Sequence, residues 1–481
     1  MNHLTRAALA LPLLAAGAAY AQPTYTVLVR ENDFFPIGNV TTVDTVAVNN
    51  SGSWLVDIDT NNPDTTADHY LLRDGAIYLQ EGAVLNPPAV GNIGFWDDLT
   101  LNNLGNSGWN WFLANTGGTN NDSGLFYNDT MIFQEGAIST AAGFTAPTPY
   151  TGFFGAKIND SNQIVIVASV DDPSIASTTD RAIVRIDYNA GAGTFTETVI
   201  AKEGDILPGA IAAVIEFGTD EQEFAFNNAG DVMYAAEVSG GTSDAFYING
   251  TAVAREGEPS PDAGRNWELL AGGRALDLNN NGGYVFRANL TGDTADDEVL
   301  VRNGQIFMRE GQNLPAIGSF NLTGFGTSAP LFIDDSNNVL WYGTWNDPVT
   351  SQNKGLFLND QLLIQDGVTV INGELVQGVR GITQGFKMSD NGRHIIVRLQ
   401  FVSNIDAAVL ISFPGPTCGT ADFDGDGDTG TDADIEAFFA CLAGNCCATC
   451  FELGADFNGD GDVGTDADIE AFFRVLAGGE C

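Results

Sequence analysis

The 481-residue sequence predicts a mainly β fold: a seven-bladed β-propeller of four-stranded blades closed by the N-terminal strand, with a small α-helical module after it. Three observations predict it. A turn phrase recurs seven times between residues 49 and 398. A hairpin phrase interleaves with it. An acidic, glycine-rich phrase is then written twice, and all six cysteines (Cys418, Cys441, Cys446, Cys447, Cys450 and Cys481) lie around those two copies.

The turn phrase runs Asn, Asp or Ser, two further residues, then Gly or Asn, and leads into a strand. Its copies open at Asn49, Asn102, Asn159, Asn227, Asn279, Asp334 and Ser389, spaced by 52 to 68 residues. Asn or Asp opens such a turn by bonding its own backbone, and Gly or Asn tolerates the left-handed residue that closes it. The hairpin phrase appears as "RDGAIYLQEG" (73–82), "YNDTMIFQEG" (127–136), "INGTAVAREG" (248–257), "RNGQIFMREG" (302–311) and "LNDQLLIQDG" (358–367). Asn-Gly and Asp-Gly are strong two-residue hairpin signals, because both positions favour positive φ. The third unit has the longer "DYNAGAGTF" instead and still ends "AKEG" at 201–204. Each unit therefore holds four short strands in an up-and-down meander, as "GGRALDL", "GYVFRANL", "EVLVRNG" and "QIFMREG" do in the fifth. A four-stranded sheet repeated about every 50 residues is a propeller blade.

The seventh unit stops at Pro414, one strand short, while "YTVLVREND" (25–33) is written like the final strand of the other units. Joined there, it closes the ring and leaves no open edge. A pair of β-sandwiches or an open solenoid is the alternative packing of the same strands. The repeated region, residues 25–412, resembles the bacterial secreted tandem-repeat family named for an N-x-x-G-x-x-x-x-R phrase, complete here at Asn279, Gly282 and Arg287. That resemblance brings an architecture rather than an activity.

Residues 1–21 combine a basic start at Arg6, an apolar run too short to span a bilayer, and an Ala-Tyr-Ala cleavage site. A secretory leader is expected there, hence an extracellular or cell-surface location, with the propeller over 22–415 and the module over 416–481. No later stretch approaches ~20 apolar residues, so no membrane anchor is expected. The 62 acidic residues outnumber 19 basic ones for a net charge of −43, which repels nucleic-acid phosphates and anionic lipid. The body, free of cysteine, must rest on its own core, whereas the tail is expected to be stapled by disulfides. A zinc site at Cys447 and Cys450 is the alternative for that pair.

The doubled phrase reads "ADFDGDGDTGTDADIEAFFACLAG" (421–444) and "ADFNGDGDVGTDADIEAFFRVLAG" (455–478). Oxygen-bearing side chains occupy alternate positions, Asp422, Asp424, Asp426 and Asp428, then Asp456, Asn458, Asp460 and Asp462. Gly427 and Gly461 stand at the sixth position, where a calcium loop turns sharply. A helix follows each loop, with Ile435, Phe438, Phe439 and Leu442, and again Ile469, Phe472, Phe473 and Leu476, on one face. Core packing is the expected reading for both phenylalanines of each pair, with one inside and the other partly exposed as the alternative.

This tail resembles a type I dockerin with paired EF-hand-like loops, and in its cysteines the GC-type dockerin-like modules of planctomycete secreted proteins. The resemblance implies two structural Ca²⁺ ions. Asp422, Asp424, Asp426 and Asp434 would hold one with the carbonyl of Asp428; Asp456, Asn458, Asp460 and Asp468 would hold the other with the carbonyl of Asp462. Asp434 and Asp468 stand at the thirteenth loop position instead of the twelfth, so Asp432 or Asp466 is the alternative last ligand. Superposed repeats suggest Cys418–Cys447, Cys450–Cys481 and Cys441–Cys446 bridges. The implied partner is a cohesin-like or other extracellular protein.

No catalytic constellation can be assembled from the body. His69 and His394 stand alone in strands, and no nucleophile motif appears. The carboxylates that end the last strands (Glu31, Glu81, Glu135, Glu203, Glu256, Glu310 and Asp366) recur in every unit, which favours a turn-locking role. Trp96, Trp109, Trp111, Trp341 and Trp345 read better as core than as sugar-stacking platforms. The sequence thus points to a secreted, non-catalytic binding or scaffold protein, with an extracellular carbohydrate-active enzyme as the alternative. Convergent acids in the central funnel would favour the enzyme; apolar and amide lining would favour binding.

Overall fold

The computed structural model describes residues 23–35, 38–85, 91–175, 180–208, 212–239, 244–270, 275–414, 419–451, 454–458 and 463–479, so the expected leader lies outside the described residues. The chain divides into a body, Tyr25–Ser412, and a unit that holds the residues from Phe413 onward.

The body is a seven-bladed propeller. Its sheets comprise blade 1 (38–80), blade 2 (92–134), blade 3 (150–202), blade 4 (214–255), blade 5 (267–309), blade 6 (322–365) and blade 7 (374–412). Strands pair antiparallel in chain order within each blade; in blade 5 Tyr284–Leu290 lies between Leu276–Leu278 and Glu298–Arg302. Thr24–Arg30 adds to Ile405–Ser412 as the outermost strand of blade 7, and the Glu31 amide donates to the Asp406 carbonyl at 2.9 Å. This closure distinguishes the ring from the solenoid and sandwich alternatives.

Why these turns recur is plain from their hydrogen bonds. In the turns opened by Asn49, Asn102, Asn159, Asn279 and Asp334, the opening side-chain oxygen accepts amides two and four residues on: Asn102 Oδ1 from Leu104 and Asn106 at 3.1 and 2.7 Å, Asn279 Oδ1 from Asn281 and Gly283 at 3.1 and 2.6 Å. The closing residue is left-handed in all seven copies: Gly52, Gly105, Asn162, Gly230, Gly282, Asn337 and Gly392 have φ between +57° and +89°.

The amide nitrogen of the same side chain reaches the next blade. Asn49 Nδ2 donates to the Asn102 carbonyl (3.0 Å), Asn102 to Asn159 (2.9 Å), Asn159 to Asn227 (3.3 Å), Asn227 to Asn279 (2.9 Å) and Asn279 to Asp334 (2.7 Å). Asp334 has no such donor, and there the Asp335 amide bonds the Asp390 carbonyl at 2.7 Å. Asn391 then bonds Asn50 through its amide and its side chain, which completes the circuit. An asparagine both closes its own turn and ties the neighbouring one, whereas Asp can do only the first.

A second set of ties lies at the outer strands. The residue after each terminal carboxylate, Asn32 after Glu31 and glycine after the other six, is left-handed and donates to the first strand of the next blade, as Asn32 does to Val40, Gly82 to Ile93, Gly136 to Tyr150, Gly257 to Trp267 and Gly311 to Leu322. Between blades the side chains alternate into shared cores. Trp109 and Trp111 pack with Leu55 and Leu71 across blades 1 and 2; Trp341 and Trp345 pack with Val285 and Leu300 across blades 5 and 6. Arg287 of the N-x-x-G-x-x-x-x-R phrase is buried and donates to the carbonyls of Phe325, Gly326 and Thr327 in blade 6. Among the described residues no helix is long and apolar enough to cross a membrane.

A chain that begins at Phe34 would leave the Ile405–Ser412 edge unpaired. It is expected to melt several degrees lower and to self-associate, read by thermal melting and light scattering; an unchanged melt and a monodisperse chain would contradict the closure.

Candidate functional site

Two places gather chemistry, one in each unit. In the C-terminal unit, helices α1 (Asp432–Leu442) and α2 (Asp466–Leu476) start at Thr431 and Thr465, whose side chains accept the amides of Asp434 and Asp468. Their buried faces meet around four phenylalanines, Phe423, Phe438, Phe457 and Phe472, with Phe438 stacked on Phe472 at 4.1 Å. Phe439 and Phe473, at the same place in each helix, are 44% and 46% exposed.

Ahead of α1, oxygens of Asp422, Asp424 and Asp426 lie within 4.8 Å of one another. Gly425 and Gly427, at φ +74° and +98°, turn the loop so that alternate side chains converge. Asp422 Oδ2 accepts the Gly427 amide at 3.1 Å, while its Oδ1 is shielded from water and has no hydrogen-bond donor among the described residues. Asp428 continues the loop, its amide bonded to Asp426 at 2.8 Å.

Asp434 does not join this group. It is fully buried, and its Oδ1 accepts Phe423 and Asp424 amides (2.7 and 3.3 Å) while Oδ2 accepts the amide and hydroxyl of Thr431 (2.8 and 2.9 Å). Burial alone would raise this carboxyl, but the Thr431, Asp424 and Phe423 donors prevail and hold it below the usual range. Asp468 repeats the arrangement with Asn458 and Thr465. The thirteenth-position acids thus clamp loop to helix, as the inserted residue directs. In the second loop Asp456 is buried; Asp460 and Asp462 lie outside the described residues.

The disulfide expectation needs correction. Cys441 pairs with Cys446 as expected, but Cys447 pairs with Cys450, which rules out bridges from those two to Cys418 and Cys481, both outside the described residues, and the zinc alternative. The Cys447–Cys450 turn supports the first loop: the Thr449 carbonyl lies 2.7 Å from where a Gly425 side chain would begin, and the Phe451 amide bonds the Phe423 carbonyl at 3.0 Å.

In the propeller, the central cavity of about 140 Å³ is lined from all seven blades. One mouth carries the belt residues that follow the turn asparagines: Asn103 Nδ2 bonds Asp160 and Asp390, and Asn280 Nδ2 bonds Asp335 and Asp390. Further in, Lys387 of blade 7 bonds the Leu99 carbonyl of blade 2 and pairs with Glu221 of blade 4. Lys157 of blade 3 lies 3.8 Å from the same Glu221 oxygen. Burial holds the Asp98 carboxyl well above its ordinary range, and the adjacent Glu221 charge adds to this; Glu221, itself buried, is kept low by Lys387 and Lys157. Asp277 is pushed up to about 7 by burial, against the Ile333 amide and Lys157.

Backbone irregularity puts these groups here. The inner strands of blades 4 to 7 are interrupted, as at Val214–Phe217 and Phe224–Phe226 around Glu221, and blade 7 breaks between Val379 and Phe386. In that break Gln384 adopts φ +62°, while every other non-glycine residue of positive φ among the described residues is Asn or Asp. Its amide donates to the Asp97 carbonyl and the Asp98 carboxyl (2.9 and 2.5 Å) and accepts from Thr45 Oγ1 at 3.1 Å. Sequence reasoning missed this cluster, because no local motif marks it. The only cue is compositional: two of the chain's four lysines are here.

The other candidates are structural. The five tryptophans are buried in the core. His69 pairs with Asp57 at 2.6 Å and edges onto Trp96; His394 meets Ser412 Oγ at 3.1 Å. Of the terminal carboxylates, Glu135 accepts the Asp122 amide and Glu31 the Asp406 amide within their own blades, whereas Asp366 of blade 6 accepts the Val379 amide of blade 7.

A family model described as "Family of unknown function (DUF7453)" matches residues 20–247. No curated protein matches the chain. Among solved structures it is similar to the polysaccharide lyase Uly1 at 10% identity (82% of this chain, 97% of that one, TM-score 0.40). A polysaccharide lyase of family PL25, an ulvan lyase, matches at 11% (81% and 94%, TM-score 0.32), and TolB from Acinetobacter baumannii at 11% (77% and 78%, TM-score 0.30). At these scores the likeness carries no argument, and the fold rests on the chain's own strand pairing.

Two outcomes follow. Asp277, with Lys157 and Asp390 facing it, binds its proton more tightly folded than unfolded, so its ionisation costs stability as pH rises from about 4 through about 7. Asp277→Asn is expected to raise the melting temperature at pH 8 and leave it nearly unchanged at pH 4; equal effects at both would contradict the assignment. Replacing Cys447 and Cys450 by serine is expected to speed amide hydrogen exchange across Phe423–Asp428, and unchanged protection would deny the turn its supporting role.

Proposed function

We propose that this chain is a secreted, non-catalytic binding or scaffold protein: the funnel does bring acids together, but Asp98 and Glu221 are held by Gln384 and Lys387 and do not stand free for acid–base work. Its propeller presents a ligand surface, and its C-terminal unit, with two structural Ca²⁺ ions, engages a cohesin-like or other extracellular partner. The observation that carries this reading is the convergence of Asp422, Asp424 and Asp426 within 4.8 Å of one another in a glycine-turned loop. The donor set is all oxygen, as Ca²⁺ prefers, and the shielded Asp422 Oδ1 lacks any other partner among the described residues. Bound Ca²⁺ would supply the charge that lets these carboxylates stay close.

The chain's own residues do the rest. Asp434 and Asp468 fix each loop to the start of its helix, and Thr431 and Thr465 cap that start. The four-phenylalanine core holds α1 against α2, which leaves Phe439 and Phe473 as matched, partly exposed apolar contacts for a partner. The acidic balance supports an extracellular setting and argues against nucleic acid.

Calorimetric titration of the full chain with CaCl₂ is expected to show two sites, with dissociation constants on the order of 10⁻⁴–10⁻³ M or tighter. Asp424→Ala should remove one of them. Capture of a partner from the source organism's secreted proteins should be lost in EGTA. Absence of heat, or capture indifferent to chelator, would reject the reading.

A further inference from the structure

Lys157 faces the central cavity, and among the described residues no hydrogen bond engages its donors. Its nearest carboxylate oxygen among the described residues, on Glu221, is 3.8 Å away, and the ammonium lies 5.4 Å from the Phe224 ring. Lys387, by contrast, is engaged by the Leu99 carbonyl and Glu221. An ammonium has three N–H groups, and leaving them without acceptors in a partly dry site is costly. Toward the belt the cavity wall becomes an apolar girdle, one residue per blade, which includes Leu101, Ile158, Phe226, Leu278, Ile333 and Met388. Across from Lys157 the Asp277 carboxyl has Oδ2 occupied by the Ile333 amide at 2.9 Å.

We propose that this cavity is the ligand site of the propeller, and that it binds a neutral polyhydroxylated ring, one sugar residue, between the Lys157 ammonium and the Asp277 carboxyl. A ring hydroxyl offers Lys157 the acceptor it lacks and Asp277 a donor, while the ring's C–H faces suit the girdle and the half-buried Phe226 and Phe332. The volume of about 140 Å³ lies below the ~300–1,000 Å³ of pockets that hold drug-sized ligands, which suits a single ring and not a chain.

Charge decides between ligand classes. An anion would meet a molecule of net charge −43 and a belt that carries Asp160, Asp335 and Asp390. An organic cation would meet Lys157 and Lys387. A bare metal ion has no three ligands close enough together here, since among the described residues the one such group is Asp422, Asp424 and Asp426. A neutral polyol avoids all three conflicts. The broken inner strands and the left-handed Gln384 also fit a site, since bulges and local strain concentrate where side chains must be re-aimed. This inference rests on the reading of the propeller as the ligand-presenting body, and it is independent of calcium in the tail.

The test is saturation-transfer NMR and calorimetry of the full chain in calcium buffer with glucose, galactose, mannose and N-acetylglucosamine, and with glucuronate as the anionic counterpart. At least one neutral sugar is expected to bind, and Lys157→Met to weaken it about tenfold or more, as loss of a charged hydrogen bond does. Lys354→Met, on an exposed position of blade 6, should leave binding unchanged. Should Lys157→Met fail to fold, Asp277→Asn serves in its place and is expected to weaken binding severalfold. No binding of any neutral sugar, tighter binding of glucuronate, or binding indifferent to the cavity variant would overturn the proposal. A chain that takes up calcium but no sugar refutes this inference alone; one that binds sugar without calcium refutes only the reading of the tail.

Discussion

The propeller depends on one small device, an asparagine side chain that faces two ways. Its oxygen closes the turn in which it sits, and its nitrogen bonds the backbone of the next turn, so local folding and ring assembly share a residue. Five successive copies do both. A buried amide left half-bonded costs about 1–3 kcal/mol, so each blade's turn is fully satisfied only when its neighbour is present. The circuit therefore favours the complete ring over any shorter arc. Where Asp334 interrupts the series, a backbone amide takes over, which shows that the tie matters more than the residue that makes it.

A ring made this way leaves a hole, and its filling follows from the blades' differences. Alternating inner-strand positions give the apolar girdle, which needs only that every blade keep its pattern. The layer beyond it is not repeated: Lys157, Glu221, Asp277, Lys387 and, from a break in blade 7, Gln384 each come from one blade. Symmetric positions serve the fold and asymmetric ones carry chemistry. The seven terminal carboxylates obey the same division, since they recur in every blade; Glu31 and Glu135 bond within their own sheets and Asp366 ties to the next.

Much of this was legible beforehand for a physical reason. Left-handed residues and hairpin turns leave compositional marks, so Gly52, Gly105, Asn162 and their counterparts located the turns, and the missing last strand of the seventh unit located the closure. Phe439, read chiefly as core like Phe438, is instead partly exposed. The second function of the turn asparagines was not legible, because a side chain's far partner is set by the ring's curvature and not by its neighbours in sequence. Asp434 was read as a ligand from position alone; the extra residue ahead of it brings its carboxylate to the Phe423, Asp424 and Thr431 amides. The cysteine pairing failed similarly: repeat symmetry suggested distant partners, whereas Cys447 and Cys450 close a local turn.

The closing strand has a mechanical consequence. Because Thr24–Arg30 lies outside Ile405–Ser412, the chain leaves the ring from an interior strand, flanked by hydrogen-bond ladders on both sides. Tension applied through the residues beyond Ser412 then pulls along that strand and is resisted in shear by two ladders at once. Without the N-terminal strand the same tension would act on an edge and could peel it one bond at a time.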